Sequence, residues 1–457
     1  MSYTYYRKIL CFNEELRAET MQTQPSTNEQ NARPGHPPSQ QPVERRTVNT
    51  NAAATMIGWI LQGGVILSAL VILLGVFLVA LQPNTFAPQK LLQFPHTFGE
   101  VWTGLLILRP QAVIALGLLL LIATPVVRVA VSILAFAVER DRRFVVITTV
   151  VLLILLFSIF YVGAITVVGQ HQHFQHGEYS WVFPALIFAG SILAGLLGSL
   201  VGLGGGVLIV PLLTLVFKFP IYFAIGASII SVIATSSGAA AAYVKDHMTN
   251  LRVGMFLEIG TTLGAICGAF LAGLLAPGLL SIIFGVILLF SSAPLVFKLG
   301  EELPQRVKND RWANWLHLNG SYPDHHLHRE VPYEVTRTPL GLLMMYVAGL
   351  ISGLLGIGSG TFKVLALDVA MRLPMKVSTT TSNFMIGVTA AASAGIYFSR
   401  GDIPPLIAAP VALGILIGAL IGTRLLAHLS NKLLRIIFLV VIVVAAVEMV
   451  LHGFGIA

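Results

Sequence analysis

Charge is what this sequence has least of. Only 11% of its 457 residues are Asp, Glu, Lys or Arg, against about 25% in a soluble domain. Cysteine is nearly absent: Cys11 lies in a polar tail and Cys267 in an apolar run, which excludes a disulfide framework and a zinc motif. No GK[ST] follows Gly202-Leu-Gly-Gly-Gly206, which excludes a phosphate-binding P-loop. Paired carboxylates and a nucleophile–His–acid arrangement are missing as well, so an enzyme is not expected, nor is a cofactor. The histidines at 171–176 and 317–328 lack the Cys or carboxylate spacing of a metal site and are expected to be loop histidines.

What the chain does have is apolar length. Hydrophobic residues make up 56% of it, in many runs long enough for the roughly 20 residues that cross a 30 Å hydrocarbon core. This implies an all-α polytopic membrane protein. The formal net charge of +8 needs no nucleic-acid partner, because basic cytoplasmic loops produce such a balance.

Glycine organises the rest. Gly195-Leu-Leu-Gly-Ser-Leu-Val-Gly-Leu-Gly-Gly-Gly-Val-Leu-Ile-Val-Pro211 recurs 154 positions later as Gly349-Leu-Ile-Ser-Gly-Leu-Leu-Gly-Ile-Gly-Ser-Gly-Thr-Phe-Lys-Val-Leu365. The same offset pairs Pro220 with Pro374, Ser228 with Ser382, Tyr243 with Tyr397, and Gly260, Gly264 and Gly268 with Gly414, Gly418 and Gly422. The later part of the chain is therefore two copies of one membrane unit.

Residues 1–51 form a polar, disordered cytoplasmic tail that cannot bury enough surface to fold. Residues 52–170 form a three-span module, with spans near 54–81, 112–136 and 144–168. Repeat 1 covers 181–298 and repeat 2 covers 339–454, separated by a basic linker at 299–338. Each repeat opens with a glycine-broken element and continues with three full spans. After the first break, Val207–Phe217 makes only about 16 Å of helix, half a bilayer core. Each repeat thus begins with a hairpin that returns to its own face, and the second copy is inverted relative to the first. With the N-terminus in the cytoplasm, Arg140–Arg143, Lys245, Arg252, the linker, Arg372 and Lys376 all fall inside, while Lys90, Arg109, Lys218 and Arg400 fall outside. That is a positive-inside pattern.

Inverted repeats with two broken helices are a transporter design. Backbone outside regular helix survives in lipid only when buried in protein or lining a wet cavity, and a half-helix start aims free N–H groups at what lies there. Gly202, Gly204, Gly205 and Gly206 of the first break, and Gly356, Gly358, Ser359 and Gly360 of the second, are therefore expected to bind substrate. Lys363 stands at the start of the second half-helix, where copy one has Ile209. A lysine inside a span costs about 2.5–3.5 kcal/mol on insertion and is read as functional. Asp368 is the nearest candidate counter-charge. In Ser378-Thr-Thr-Thr-Ser-Asn383, the side chains of Thr380, Thr381, Ser382 and Asn383 are expected to line the site, with helix capping as the alternative reading. Glu258 would carry a coupling proton or pair with Arg252 or Lys245 near the cytoplasmic face. The triplets Gly260/264/268 and Gly414/418/422 read as helix-packing glycines.

The region from Trp181 to Gly453 resembles the TauE/SafE family of membrane permeases, the sulfite exporters. The resemblance is carried by Gly202-Leu-Gly-Gly-Gly206 with Pro211, by Gly349 to Gly360, and by Gly418-Ala-Leu-Ile-Gly422. Thr361-Phe-Lys-Val-Leu-Ala-Leu-Asp368 stands where family members commonly carry an apolar, proline-bearing stretch. The three-span module resembles an uncharacterised membrane domain found beside such permeases. The resemblance implies transport of sulfite, sulfonates or similar anions across the cytoplasmic (inner) membrane of a prokaryote. The expected partners are a small anion and the lipid bilayer, with no nucleic acid and with homo-oligomerisation left open. The alternative is a non-transporting membrane sensor or assembly partner.

Overall fold

Sequences this apolar fold in lipid as helices, because every backbone polar group must be satisfied within its own segment. The computed structural model describes residues 44–81, 94–162, 182–201, 205–245, 248–296, 307–324, 329–425 and 431–456. The leading module contains α1 (Glu44–Leu81), a short α2 (Phe98–Leu106), α3 (Pro110–Val138) and α4 (Arg142–Phe157), which a π-helical turn extends over Ser158–Val162. Repeat 1 contains α5 (Val182–Val201), α6 (Gly206–Pro211) with a π-helical turn Leu212–Val216, α7 (Ile221–Lys245), α8 (Leu251–Leu274) and α9 (Pro277–Val296). Repeat 2 contains α11 (Thr338–Leu355), α12 (Gly360–Leu365) with a π-helical turn Ala366–Ala370, α13 (Met375–Ser399), α14 (Pro405–Leu425) and α15 (Asn431–Gly453). Six helices are long and apolar enough to cross a membrane among the described residues, and α7, α9 and α15 contribute shorter apolar stretches.

Two boundaries differ from the sequence reading. The tail expected to be disordered through residue 51 is helical from Glu44, because extending a formed helix adds a hydrogen bond for each residue fixed. Residues 1–43 lie outside the described part, as do the histidines at 171–176 and 325–328. The basic linker has structure of its own: α10 (Arg311–Leu316) and a hairpin of β1 (Gly320–Asp324) and β2 (Arg329–Tyr333), in which Tyr322 faces Val331. Its Leu316, Leu318, Tyr322 and Tyr333 are buried together with Val253 and Met255 of α8. Burial pushes the Tyr333 phenol up to about 12, so its oxygen stays protonated while accepting from Asn250 Nδ2 at 2.8 Å.

The repeats interlock by exchange. α5 of the first packs on α14 of the second, and α11 of the second packs on α8 of the first; α7 meets α13 and α9 meets α15. Glycine sets how close the crossed pairs come. A Cβ built on Gly264 of α8 would lie 2.8 Å from Leu350 N of α11, and one on Gly418 of α14 would lie 2.9 Å from Leu196 N of α5. Contacts that close leave room for hydrogen only, so Gly260, Gly264, Gly268, Gly414 and Gly418 are packing glycines, as their spacing implied.

The helix ends establish the inversion. At one end Arg252 lies 3.2 Å from Asp141 and 3.6 Å from Glu139, Arg143 donates to Trp315 O, and Asn250 Nδ2 donates to Leu318 O at 2.9 Å. The α3–α4 turn, the start of α8 and the linker are therefore neighbours. At the other end Tyr222 Oη donates to Leu275 O at 2.6 Å, and Arg400 Nη1 donates to Ala269 O at 2.8 Å. The first hairpin starts and finishes at this second end, where the Phe183 ring lies 5.5 Å from Phe217 and 5.4 Å from Phe219. The second hairpin starts and finishes at the linker end, where Thr336 N donates to Met371 O at 3.2 Å. The two copies therefore run in opposite senses.

The leading module is built into this frame. α3 packs on α7, α13 and α14, and α4 packs on α8. Ser158 Oγ donates to Ala392 O of α13 at 2.5 Å. α1 lies against α3 through Gly75, where a Cβ would fall 2.8 Å from Ile114 N, and turns Leu67, Leu70, Leu74 and Phe77 outward.

Candidate functional site

The second break is a backbone device. Gly356, Gly358 and Ser359 all have positive φ, at 70°, 71° and 47°. Glycine takes that region without penalty, whereas the serine at N-cap of α12 is strained there. The turn brings the second break to the first. Ser228 Oγ of α7 lies 2.8 Å from Gly206 O and 2.8 Å from Gly356 O, so one hydroxyl bridges both broken elements. Ser382, its repeat mate on α13, donates to Gly360 O at 3.3 Å. The pairing seen at an offset of 154 in sequence is thus a pair of equivalent contacts in space.

One turn into α12, Lys363 is fully buried. Its Nζ donates to Thr389 Oγ1 of α13 at 2.6 Å, and Thr389 Oγ1 lies 2.9 Å from Glu258 Oε1 of α8. Glu258 is 1% exposed, and its Oε2 has no hydrogen-bond partner among the described residues. An ammonium and a carboxylate from different repeats thus meet at one hydroxyl, which accepts from Lys363 and shares its single proton between Glu258 Oε1 and Met385 O, each at 2.9 Å. Thr261 and Thr262 of α8 turn their hydroxyls back to Glu258 O, which leaves the carboxylate facing Thr389.

A third charge belongs to the same neighbourhood and comes from the leading module. Arg128 of α3 is 0% exposed. Its Nη1 donates to Phe384 O of α13 at 2.7 Å, and its guanidinium lies 5.0 Å above the Phe384 ring. Nη2 reaches toward Gly387, where an added Cβ would lie 3.6 Å from it. Ser236 Oγ, donating to Asn383 O at 2.9 Å, flanks the same glycine. Glu258 exerts its charge on both Lys363 and Arg128.

The residues singled out from sequence separate into groups. Gly205, Gly206, Gly356, Gly358, Ser359, Gly360, Ser382 and Lys363 are buried about the two breaks; Gly202 and Gly204 lie outside the described residues. Thr380 and Thr381 lie elsewhere: Thr380 Oγ1 donates to Met248 O at 2.8 Å and Thr381 Oγ1 accepts from Asn250 N at 3.1 Å. Both tie α13 to the turn before α8, about 12 Å along the helix from Thr389. Asn383 offers its backbone carbonyl to Ser236. The counter-charge expected at Asp368 is supplied instead by Glu258. Asp368 is half-buried in the π-helical turn after α12 and has an interaction of its own. Glu258 does not pair with Arg252 as the alternative had it, because Arg252 is held by Asp141 and Glu139.

Sequence reasoning missed Arg128 and Thr389. Arg128 had a signal, since a cation well inside a predicted span meets the test applied to Lys363. Thr389 had none beyond its register with Thr235 of copy one.

Residues 186–449 match the family model described as Sulfite exporter TauE/SafE, and residues 57–160 match one described as a protein of unknown function, DUF1634. A Bacillus subtilis protein named Probable membrane transporter protein YunE is 26% identical over 279 residues, covering 59% of this chain and 98% of the relative. Another from the same organism, Probable membrane transporter protein YdhB, is 25% identical over 240 residues, covering 52% of this chain and 89% of its own. A probable membrane transporter protein of Methanocaldococcus jannaschii is 26% identical over 274 residues, covering 57% and 92%. No solved structure matches the chain.

Proposed function

The chain belongs to the sulfite exporter TauE/SafE family, and from that premise we propose that it is a secondary transporter carrying a small anion, a sulfur-containing oxyanion or an organosulfonate, across the cytoplasmic membrane. One observation carries the reading: a fully buried lysine stands at the start of the second half-helix, where the two broken elements meet. An ammonium in a membrane interior is tolerated where it has work to do, and here it adds to the positive end of the half-helix. The names of the relatives, all probable membrane transporters, agree with a carrier.

Rocking of the interlocked repeats about the breaks would expose this site to each side in turn. The N-terminus is cytoplasmic, so the end with the linker and the α3–α4 turn faces the cytoplasm, following its basic residues. A gradient of protons, of another ion or of the substrate itself drives the cycle, and Glu258, joined to Lys363 through Thr389, is the group placed to couple a proton to it.

The test is flux of sulfite, sulfate and methanesulfonate in proteoliposomes, wild type against Lys363→Met, with thermal melting to confirm folding. The wild type is expected to move at least one of these anions and the variant at least tenfold more slowly. Equal rates would remove Lys363 from the site. No flux of any of the three in the wild type would overturn the anion reading.

A further inference from the structure

Lys363 and Glu258 carry opposite charges and neutralise one another, so that pair by itself has no net attraction for an anion. The structure places a second cation beside it, and that cation belongs to the leading module. Arg128 is 0% exposed and spends one nitrogen on the fold, with Nη1 on Phe384 O. Its Nε and Nη2 have no hydrogen-bond partner among the described residues. These two nitrogens form one edge of the guanidinium plane. Their parallel N–H groups make the fork that takes two oxygens of a carboxylate, sulfonate or phosphate side by side.

The edge is well placed. Nη2 lies beside Gly387, 3.6 Å from where a Cβ would stand, and Ser236 Oγ packs against the same glycine. One turn along α7 from Ser236, Val232 packs on Gly206 and Gly358 of the two breaks. The fork and the broken elements therefore border adjacent turns of α7, about 5.4 Å apart along the helix axis. Buried polar atoms without partners gather in this region: Arg128 Nε and Nη2, Glu258 Oε2 and Ser359 Oγ. Native interiors leave few such atoms. A purely structural lock between modules would need only the Phe384 contacts.

We propose that Arg128 is a substrate-binding residue, and that the leading module, by inserting it, gives the permease site its net positive charge. The three side chains then total one positive charge, which suits a singly charged oxyanion held in the Arg128 fork with Lys363 near it. The module is thereby part of the transport site. This rests on the anion reading above.

The experiment measures methanesulfonate uptake and methanesulfonate-induced thermal stabilisation in the full chain. Arg128→Lys and Arg128→Gln are compared with wild type and with Ser132→Ala, a control whose hydroxyl only returns to Arg128 O one turn back. We expect KM to rise at least tenfold in both Arg128 variants, stabilisation by the anion to fade in parallel, and the control to match wild type. If the wild type transports and the folded Arg128 variants keep its KM, Arg128 is an inter-module lock and the proposal is overturned, while the transporter reading stands. If the wild type neither binds nor moves methanesulfonate, the proposal is overturned, and if it moves neither sulfite nor sulfate either, the anion reading falls with it. Where neither variant folds, phenylglyoxal modification of the wild type decides by peptide mass spectrometry. Methanesulfonate should slow labelling at Arg128 at least fivefold, and unchanged labelling overturns the proposal.

Discussion

Lys363, Thr389 and Glu258 have repeat mates at Ile209, Thr235 and Ala412. Two of the three mates are apolar, so the molecule's internal symmetry is broken where the charges sit. Copy one supplies the scaffold of the same arrangement, and the charges occupy only one of the two equivalent places. The asymmetry limits the cost, because two full clusters would bury twice the charge at several kcal/mol each. Thr389 is the joint. Thr389→Val would leave the Lys363 ammonium without its 2.6 Å partner, and losing a hydrogen bond to a charged group costs about 1.5–3 kcal/mol. A lower melting temperature in detergent is expected for Thr389→Val and a near-native one for Thr389→Ser. A wild-type melt for the valine variant would contradict the joined cluster. Lys363 was legible as a candidate because a lone cation in an apolar run stands out. Its partner was not: Asp368 was chosen for nearness along the chain, whereas Glu258 arrives from another repeat across α13.

At the scale of elements, the breaks and the crossed helix pairs divide the glycines between two tasks. Gly356 and Gly358 supply positive φ so that the chain can turn inside the bilayer. Gly264 and Gly418 supply contact, since their neighbours are the backbone of the facing helix. In membranes such packing is a main source of helix association, because lipid tails are as apolar as the side chains. Gly264→Val and Gly418→Val should each force a crossed pair apart and abolish a monodisperse peak in size-exclusion chromatography. Gly63→Ala on α1, where an added Cβ meets nothing within 4 Å, should leave the profile unchanged. A normal profile for both valine variants would show that the crossed pairs do not hold the repeats together. The end of the first span at 81, the limits 112–136 of the second and the start of the third at 144 lie within two residues of the structure, because the length of an apolar run is a local property. The hairpin in the linker was not legible. Tyr322, Val331 and Tyr333 become buried only by packing with α8, and short polar strands carry little pattern of their own.

At the scale of the whole molecule, two copies in opposite senses leave one end to the linker and the α3–α4 turn, and the other to the α8–α9 turn and Arg400. Labelling resolves both the inversion and the orientation. In a chain with Cys11 and Cys267 replaced, Ala276→Cys in the α8–α9 turn should react with an impermeant maleimide added outside intact cells. Asn314→Cys in the linker should react only after the membrane is opened. Reaction of Ala276→Cys and of Arg140→Cys in the α3–α4 turn from one side would overturn the inverted arrangement, and exchange at all three positions would reverse the assignment of the cytoplasmic end. The three leading helices share no register with the repeats, yet they pack on α7, α8, α13 and α14 and send Arg128 inward. Each relative is matched over 89–98% of its own length by only 52–59% of this chain, so a large part of the chain lies outside what is shared with them.

Read alone, the sequence shows that the chain lives in a bilayer, that its later part is one unit used twice, where most of its spans lie, and that Lys363 is out of place in lipid. Those follow from hydrophobic length, glycine periodicity and the cost of a buried charge, which are all local. It took the packed fold to show that Ser228 bridges the two breaks, that Glu258 meets Lys363 through Thr389, and that Arg128 is buried near Glu258 from the leading module. Those contacts link residues far apart along the chain, and their energies exist only once the helices have packed.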